Sequence, residues 1–449
     1  MNRIIDYFLQ EWKHKKSRKS LLLRGARQVG KTHSVRKLGE TYESFVEINF
    51  EDLPLVKNVF EKDFDCKRIL RDLDLEFGFQ IIPGKTLLFF DECQTAPQVI
   101  IALRYFYEKM PELHVIAAGS LLDFAIEQIG LPVGRVEALY MHPVSFIEYL
   151  AATNQNAVSY LLDYDQNQPQ PENLHTKFLK EVAIYCAVGG MPHPLQSWID
   201  DQNARQLNNN HESILMSYQQ DIEKYSRKLQ VKYVKSIFKQ IPRQLAQKFK
   251  YSLVEGDFRK RELAPALDLL ITAGVAHKIT YCAGQGIPIG ADTDDADYKV
   301  IFLDVGLTQA ELGLDIVEWL LRPDQAFVNK GSLTEAFVGQ ELLTYAMPTR
   351  KQSLYYWHKE SRSDQAEIDY LLQIQGAIIP VEVKAGTGRI LQSLQYFMKT
   401  HSNTPYGLRF SQNNYSDFQN IKSYPLYAVA QVMSEHNPEM KAAILALIS

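Results

Sequence analysis

A glycine-rich segment near the amino terminus has the residue types and spacing that suit phosphate binding. Residues 25–32 follow the pattern G-x-x-x-x-G-K-T. Gly25 and Gly30 let the backbone curl so that successive N–H groups point at phosphate oxygens. The ammonium of Lys31 reaches the outer phosphates and the hydroxyl of Thr32 ligates Mg²⁺. The pattern predicts a site for ATP with Mg²⁺ formed by Gly25, Ala26, Arg27, Gln28, Val29, Gly30, Lys31 and Thr32.

An apolar run that ends in two carboxylates supplies the groups that hydrolysis of such a ligand needs. Residues 86–92 read Thr-Leu-Leu-Phe-Phe-Asp-Glu, which is typical of a buried strand with acids at its end. We predict that Asp91 holds the Mg²⁺ shell and that Glu92 polarises the attacking water as a general base. An acidic helix cap after a core strand is the alternative, and the glycine-rich loop upstream weakens it.

Two further polar residues are candidates for the same site. Ser120 follows a predicted strand that lies between the phosphate loop and the carboxylate strand in a doubly wound sheet, so it is placed to sense the γ-phosphate. A plain turn serine is the alternative. Arg135 is a candidate for stabilising transition-state charge, either in its own chain or in a neighbouring subunit. Arg104 is a weaker candidate, for which a surface salt bridge is the more ordinary role.

Near the carboxyl end, two apolar runs flank the dipeptide Gln375-Gly376. Glycine at the second loop position suits a tight two-residue hairpin turn. With that turn, Asp369 on the first strand lies directly opposite Glu382 on the second. Lys384 shares their face because strand side chains alternate. The hairpin is therefore predicted to bring two acids and a lysine together.

Opposed carboxylates repel, so a pair of them on one face indicates a bound divalent cation. Asp369, Glu382 and Lys384 match what metal-dependent phosphodiester cleavage requires, with the acids on Mg²⁺ and the lysine on the attacking water. A helix predicted before the hairpin adds a third acid, for which we prefer Glu335 to Glu341. The alternative is a solvated hairpin in which Lys384 neutralises the acids, and a register slip of one residue removes the site.

Length, charge and hydropathy limit the class of protein. The 449 residues exceed one hydrophobic core and predict two to four domains. The net charge of −4 means that any nucleic-acid surface has to be local. No stretch approaches about 18 apolar residues and no apolar signal region is present, which predicts a soluble, cytoplasmic protein without a membrane partner. Four separated cysteines fit buried free thiols better than disulfides or a zinc site: Cys66, Cys93, Cys186 and Cys282.

Apolar periodicity divides the chain into three predicted domains and gives an α/β fold class. Residues 1–155 alternate apolar runs with amphipathic stretches, which predicts a parallel sheet. Residues 174–315 are mostly helical with a polar loop at 284–297, and residues 325–449 are mixed α/β. The predicted strands are 21–23, 45–50, 86–90, 114–118 and 138–141 in the first domain, and 353–358, 367–374 and 377–383 in the last.

The middle of the chain interleaves basic residues with Tyr225, Tyr233 and Phe238. Its predicted helices, followed by residues 271–281, suit a winged-helix-like module that faces DNA. The alternative, which the pattern favours, is a solvated basic face on helices with a buried aromatic stripe. The basic residues are Lys224, Arg227, Lys228, Lys232, Lys235, Lys239, Arg243, Lys248 and Lys250.

Several of these motifs together resemble a prokaryotic family of AAA-type ATPases. The resemblance covers most of residues 1–150. It implies an AAA-like P-loop core in which Asp91 and Glu92 are the Mg²⁺ and base residues and Ser120 is the sensor, and it leaves the role of Arg135 open. The stretches that carry it are 24–32, 48–51, 90–92, 118–120, 134–135 and 142–146.

The rest of the chain, roughly 180–400, looks like the uncharacterised domain that commonly follows this ATPase. Its end, with Glu-Ile-Asp at 367–369 and Pro-Val-Glu-Val-Lys at 380–384, is similar to the PD-(D/E)xK nuclease superfamily, notably Holliday-junction-resolvase-like members. The resemblance implies a nuclease-like fold with Glu335, Asp369, Glu382 and Lys384 at its site. The Pro-Asp dipeptide that precedes E-x-K in many members is absent, so cutting and binding both stay open. The other similar stretches are 185–192, 221–222, 302–307, 331–342 and 356–357.

The sequence thus predicts a Mg²⁺-dependent ATPase coupled to a nuclease-like domain that acts on or binds DNA. The alternative is an ATP-dependent regulatory switch whose C-terminal domain is a non-catalytic module for protein or nucleic acid. The intact set of Asp369, Glu382 and Lys384 favours the first. A small-molecule kinase is disfavoured, because nothing between residues 50 and 150 resembles an acceptor lid. Oligomerisation is left open.

Overall fold

The computed structural model describes residues 1–130, 132, 134–225, 230–314, 316–321, 331–359, 366–386 and 391–448. It contains two compact units. We call residues 2–142 with 347–351 the N-terminal unit, and residues 143–346 with 352–449, together with residue 1, the C-terminal unit. The three domain boundaries predicted from the sequence stay predictions.

A five-stranded parallel sheet forms the centre of the N-terminal unit, in the order β2-β3-β4-β1-β5. All five predicted strands are present, and their ends differ from the prediction by at most two residues. The α/β class predicted for this part of the chain is therefore confirmed. The strands are β1 Ser20–Arg24, β2 Ser44–Asn49, β3 Thr86–Asp91, β4 His114–Ala118 and β5 Val136–Tyr140.

The central strands of this sheet are apolar throughout because both of their faces are covered. Residues 87–90 of β3 and 115–118 of β4 are all fully buried, as expected for parallel strands between helices. Phe90 packs against the rings of Phe50 and Phe60 at centroid distances of 5.9 and 5.5 Å. The α-helices of the unit are α1 Ile4–His14, α2 Lys31–Gly39, α3 Cys66–Phe77, α4 Gln98–Lys109 and α5 Leu122–Ile129.

The C-terminal unit begins with a run of helices and ends in mixed α/β structure. Arg227 and Lys228 of the predicted basic region lie outside the described residues. The helices are α6 Phe146–Thr153, α7 Gln155–Asp163, α8 Glu172–Val188, α9 Pro192–Asp201, α10 Ala204–Tyr225, α11 Val231–Arg243, α12 Lys260–Thr272, α13 Val305–Glu311, α14 Ile316–Leu321, α15 Gly331–Thr344, α16 Gln392–Thr400, α17 Val429–Ser434 and α18 Pro438–Leu445.

One eight-stranded mixed sheet, in the order β12-β13-β11-β10-β9-β8-β6-β7, runs through this unit. The three predicted C-terminal strands are present. The prediction of a loop through residue 297 is wrong, because β7 already begins at Thr293. As the last strand in the order, β7 tolerates an exposed stretch at 294–296 that includes Asp294 and Asp295, which hid it from apolar periodicity. The strands are β6 Ala276–Cys282, β7 Thr293–Phe302, β8 Leu354–His358, β9 Glu367–Ile374, β10 Ala377–Lys384, β11 Gly407–Ser411, β12 Ser416–Phe418 and β13 Ile421–Pro425.

The β9–β10 hairpin has the predicted turn and register. Gln375 and Gly376 both have positive φ, 48° and 81°, which a two-residue hairpin turn of this hand requires. Ile374 pairs with Ala377, and the ladder continues without a shift to the pair of Tyr370 with Val381. The register prediction is confirmed, so Asp369 and Glu382 occupy the next opposed positions.

The four cysteines match the prediction of buried free thiols. All four cysteines are free and buried. Within the described part of the chain, every helix is too short or too polar to cross a membrane.

Candidate nucleotide site and C-terminal acidic cluster

The glycine-rich loop connects β1 to α2 at the carboxyl edge of the parallel sheet. Gly25 and Gly30 have φ of 148° and 102°, and Gln28 between them has φ of 63°. A Cβ atom on Gly25 would overlap the carbonyl oxygen of Met141. The loop therefore needs glycine at residue 25 for both its backbone angle and its close approach to the chain after β5.

Lys31 is the first residue of α2, and its side chain folds back over the loop. Its Nζ donates to the carbonyl oxygens of Gly25 and Ala26 at 2.9 and 2.8 Å. Burial lowers the pKa of Lys31 to about 8, although the carboxylates of Glu92 and Asp91 oppose the shift. An anionic phosphate beside this ammonium would favour its charged form.

Thr32 and Asp91 meet where β1 and β3 present their carboxyl ends. The hydroxyl of Thr32 donates to Asp91 Oδ2 at 2.7 Å. Burial raises the pKa of the Asp91 carboxyl, and the hydrogen bond from Thr32 partly offsets that rise. A hydroxyl and a carboxylate at this distance are the two protein groups that a P-loop site offers to Mg²⁺.

Glu92 sits at a strained turn directly after β3. Its φ is 54°, in the left-handed region that a non-glycine residue rarely adopts. Its backbone N–H donates to Asp91 Oδ1 at 2.9 Å, and its Oε2 accepts from Gln94 Nε2 at 2.5 Å. Strain of this kind gathers at functional sites, and it turns the Glu92 side chain away from the path of the strand.

Ser120 lies at the same edge of the sheet. It follows β4, which pairs with β1 on one side and with β3 on the other. Its side chain is buried. The strand order therefore puts Ser120 between the loop that contains Lys31 and the strand that ends at Asp91, as the doubly wound arrangement predicts.

Arg135, in contrast, lies at the opposite edge of the sheet. It precedes β5, which runs parallel to β1, so it stands at the amino end of the strands, roughly 16 Å of strand length from the phosphate loop. Its Nε is 3.0 Å from Glu108 Oε1, an oxygen that Arg104 contacts at the same distance. Arg135 therefore does not join the nucleotide site of its own chain. Only a role in a neighbouring subunit stays a prediction.

Sequence reasoning missed Arg3, which supports the phosphate loop. Its Nη1 donates to the carbonyl oxygen of Val29 at 3.0 Å and its Nη2 to that of His142 at 2.8 Å. The Arg3 side chain is buried, and burial together with Arg3 lowers the pKa of His142 to about 4. No local pattern marks Arg3, because its partners come from two distant loops.

In the C-terminal unit the hairpin brings Asp369, Glu382 and Lys384 to one place. Asp369 Oδ2 accepts a hydrogen bond from the Val383 N–H at 2.7 Å. The Lys384 ammonium forms an ion pair with Glu382 Oε1. Burial and the charge of Asp369 raise the pKa of Glu382 to about 7, against the opposing effect of Lys384. The predicted proximity of two acids and a lysine is therefore present.

The third predicted acid, Glu335, belongs to the same cluster, whereas Glu341 does not. Glu335 is in contact with a lysine that also approaches Asp369 at 3.8 Å. Glu341 instead accepts from the Phe146 N–H at 3.0 Å and from the Tyr345 hydroxyl at 2.5 Å. Both acids lie on α15, in which residues 333–343 are all buried, so the two carboxylates contact different parts of the protein interior.

The lysine at the centre of the cluster is Lys299, which sequence reasoning missed. Its ammonium lies 2.9 Å from Glu335 Oε1 and forms a second ion pair with Glu367. Its side chain is 1% exposed. Burial alone would lower the pKa of Lys299, but the charges of Glu335, Asp369 and Glu367 outweigh it and raise the pKa. The acids thus already have a cation among them.

The prediction that Glu335, Asp369 and Glu382 hold a metal ion does not fit this arrangement. Among the described residues, no group of three or more His, Cys, Asp or Glu side chains could hold one. The reason is the ammonium of Lys299, which takes the Glu335 carboxylate and approaches that of Asp369. Lys384 likewise forms an ion pair with one oxygen of Glu382.

Comparison with known families assigns the N-terminal part of the chain. Residues 17–150 match the family model described as AAA domain. Residues 179–317 and 330–429 match two models described as domains of unknown function, DUF8612 and DUF4143. No curated relative matches the chain.

Three solved structures show distant similarity. A Walker-type ATPase of Pyrococcus abyssi is 16% identical, with 69% of this chain and 95% of that chain covered, at a TM-score of 0.42. A signal transduction ATPase with a tetratricopeptide repeat sensor from Pyrococcus horikoshii is 10% identical, with 75% and 48% covered and a TM-score of 0.24. The ORC1 protein of Aeropyrum pernix, solved in complex with DNA, is 10% identical, with 70% and 92% covered and a TM-score of 0.21.

The family match and the geometry of the phosphate loop agree, whereas the structural likenesses are too distant to carry an argument. The AAA domain match spans β1 to β5 and includes the loop, the acids that end β3 and Ser120. The amino-terminal part of this chain is an ATPase domain of the AAA type.

Proposed function

We propose that the N-terminal unit binds ATP with Mg²⁺ and hydrolyses it through the residues gathered at the carboxyl edge of its sheet. The observation that carries this proposal is the 2.7 Å hydrogen bond between Thr32 and Asp91. These two groups fit a magnesium ion because each offers it an oxygen ligand. When bound, the ion neutralises phosphate charge.

The other residues of the site take the roles that their positions allow. Lys31 leaves the loop carbonyls to pair with the outer phosphates, and backbone N–H groups of the loop and of the first turn of α2 bind the remaining oxygens. Glu92 orients and deprotonates the attacking water. Ser120 contacts the γ-phosphate from the neighbouring strand.

Nucleotide binding and phosphate release test this proposal on the purified full-length chain. Lys31→Ala should abolish ATP binding. Glu92→Gln should keep binding and lower kcat about 10²- to 10³-fold, since a general base contributes on this scale. Lys85→Ala and Glu43→Gln are matched controls, because these residues form an exposed ion pair at 2.8 Å. Unchanged ATP binding in Lys31→Ala overturns the assignment.

We further propose that the C-terminal unit binds DNA through α11 and α12. Residues 231–261 contain nine Lys or Arg and two Asp or Glu, in a chain whose net charge is −4. On α11, Val234, Ile237 and Phe238 are buried while Lys232 is exposed, so the basic residues form an outer face. The exposed basic residues on and beside the two helices are Lys232, Lys239, Arg243, Lys248, Lys250, Arg259, Lys260 and Arg261.

The order of elements supports this proposal. Two packed helices, α11 and α12, are followed by the antiparallel pair β6 and β7. This is the order of elements in a winged helix, and α12 has the position of the recognition helix. Tyr233 on α11 donates to Glu262 on α12 at 2.8 Å and packs edge-on against Phe258 at 5.2 Å. These interactions hold the amino end of α12, with Lys260 and Arg261, in place.

Fluorescence anisotropy with labelled duplex DNA tests the basic face. The double change Lys260→Gln and Arg261→Gln should weaken binding at least tenfold at low salt. It should also lower the slope of log K against log salt by about two, because each of the two cations neutralises one phosphate. Changing Lys177 and Lys180 on α8 to Gln removes the same charge from another exposed surface and is the control. Equally weakened binding in both variants contradicts a specific face.

A second candidate function for this unit is phosphodiester cleavage, and one observation favours it. Asp369, Glu382 and Lys384 lie together on one hairpin, in the order that such chemistry uses. Duplex, branched and single-stranded DNA with Mg²⁺ or Mn²⁺, with and without ATP, provide the test. Cleavage that disappears in Lys384→Ala but persists in Lys399→Ala supports a nuclease. With no cleavage of any substrate and intact ATPase activity, the unit is a non-catalytic module and the chain an ATP-dependent switch.

A further inference from the structure

The acidic cluster of the C-terminal unit is organised around a buried ammonium group. Lys299 Nζ lies 2.9 Å from Glu335 Oε1 and 3.8 Å from Asp369 Oδ1, and it forms an ion pair with Glu367. It also stands over the ring of Tyr356 at 5.2 Å from the centroid. Carboxylates from α15 and β9 thus converge on one nitrogen.

Lys299 lies on β7, which is not a neighbour of β9 in the sheet. In strand order β7 is three spacings from β9, which is about 14 Å across a flat sheet and farther than a lysine side chain extends. The ion pair between Lys299 and Glu367 therefore needs the side chains of both residues to extend toward each other. The backbone of residue 299 is also held by an isolated bridge to residue 248, which lies outside the named strands.

Electrostatics explain why this position must hold a cation. Glu335 and Asp369 are both buried, and buried carboxylates are costly unless they are paired. A divalent ion among the same oxygens would repel the Lys299 ammonium a few ångströms away. The cluster therefore has room for one of the two cations and not for both.

We propose that Lys299 is the resident cation of this cluster and that removal of its charge opens a site for one divalent metal ion. In the native chain, Lys299 pairs with Glu335 and Glu367 and Lys384 pairs with Glu382, so the C-terminal unit acts without a metal of its own. This inference rests on the proposed function in one respect, the location of the nuclease-like cluster at Asp369, Glu382 and Lys384. It favours the non-catalytic module over the metal-dependent nuclease.

Lys299→Met is the decisive variant, and Lys384→Met is its matched control at the edge of the cluster. Both are made in full-length Asp91→Asn protein, so that the nucleotide site does not contribute bound metal. Free Mn²⁺ is counted by electron paramagnetic resonance, and thermal unfolding is followed with and without Mn²⁺. Lys299→Met should bind one additional Mn²⁺ per chain and gain several degrees of Tm with it, whereas the parent and Lys384→Met should do neither.

A second variant keeps the test decisive if Lys299→Met does not fold. Lys299→Gln removes the charge and still donates a hydrogen bond to Glu335, so it disturbs packing less and should show the same gain. Absence of added Mn²⁺ in a folded Lys299 variant overturns the inference. So does parent protein that binds one Mn²⁺ and fails to bind it in Glu335→Gln. The two proposed functions are tested separately. The ATPase rate is measured in protein with Asp91 intact, and DNA binding is measured by anisotropy, and neither depends on the number of Mn²⁺ ions bound at the cluster.

Discussion

Arg3 and Val29 are joined by a buried hydrogen bond, from Arg3 Nη1 to the Val29 carbonyl oxygen at 3.0 Å, across 26 residues of sequence. Arg3 precedes α1 and lies outside the matched AAA domain, yet it holds the phosphate loop. Its second donor holds His142 after β5. Arg3, the residue directly before α1, thus holds the phosphate-binding loop in position.

Arg3→Met should therefore raise the KM for ATP about tenfold with a smaller effect on kcat. The change leaves two carbonyl oxygens without their donor, at a cost of about 1–3 kcal/mol each where they are buried. In Arg3→Lys, the lysine ammonium can donate to one of these two carbonyl oxygens, so this variant should have a KM between those of the parent and Arg3→Met. Steady-state ATPase kinetics measure both, with Lys13→Met on α1 as the control. A fall in kcat alone, at unchanged KM, contradicts this positioning role.

Gly25→Ala should abolish ATP binding and destabilise the N-terminal unit. A Cβ at residue 25 overlaps the Met141 carbonyl oxygen and also meets a backbone φ of 148°. Gly78→Ala is the control for backbone strain alone, because residue 78 has φ of 72° and open space around its Cβ position. We expect about 1–2 kcal/mol from strain at Gly78 and a larger destabilisation at Gly25, measured by denaturant unfolding and nucleotide titration. Equal destabilisation in both variants would show that the close approach of residue 25 to the Met141 carbonyl oxygen contributes nothing beyond backbone strain.

Arg135→Ala should leave the ATPase rate of a single chain unchanged within twofold. Its side chain is 48% exposed and shares Glu108 with Arg104 on the surface, where solvent screens such a pair and leaves it little effect on stability. The measurement is kcat over a range of protein concentrations. A large drop in kcat that appears only at high concentration would place Arg135 in the site of a neighbouring subunit.

The stability of the C-terminal unit should fall as pH rises from about 5 to about 8. Burial raises the pKa of Glu341 to about 8 in the folded chain, while the unfolded carboxyl has its ordinary lower pKa. Between these values the folded state holds a proton that the unfolded state has released. The free energy of unfolding therefore decreases with pH, by at most about 1.4 kcal/mol per unit from this group.

Glu341→Gln should flatten that slope, because the amide keeps an acceptor for the Phe146 N–H and does not titrate. Urea unfolding at several pH values, followed with a probe in the C-terminal unit, gives the comparison. Glu439→Gln on α18 is the exposed control. A slope that is the same in both variants would show that Glu341 does not titrate in this range.

Much of the fold was predictable where the information is local. The five strands of the N-terminal sheet are short apolar runs, and such runs identify buried parallel strands directly. The hairpin register followed from one glycine at residue 376 and the alternation of strand side chains. β7 escaped because an edge strand does not need an apolar face, so 293–297 read as a loop.

The candidate sites show the same division. Thr32 and Asp91 were predictable as partners, because parallel strands present their carboxyl ends at one edge. The position of Arg135 at the opposite edge from the phosphate loop was not predictable, since a motif alone does not say at which end of a strand a residue lies. Arg3 and Lys299 carry no motif at all, and only their buried partners reveal them.

By itself, the sequence determined the phosphate loop, the acids that end β3 and the facing positions of Asp369 and Glu382, because each depends on a few consecutive residues and one backbone period. The surroundings of those acids, in contrast, depend on parts of the chain that are distant in sequence. Lys299 on β7 reaches Glu335 on α15 across 36 residues of sequence, and its ammonium takes the position that the pattern assigned to a metal ion.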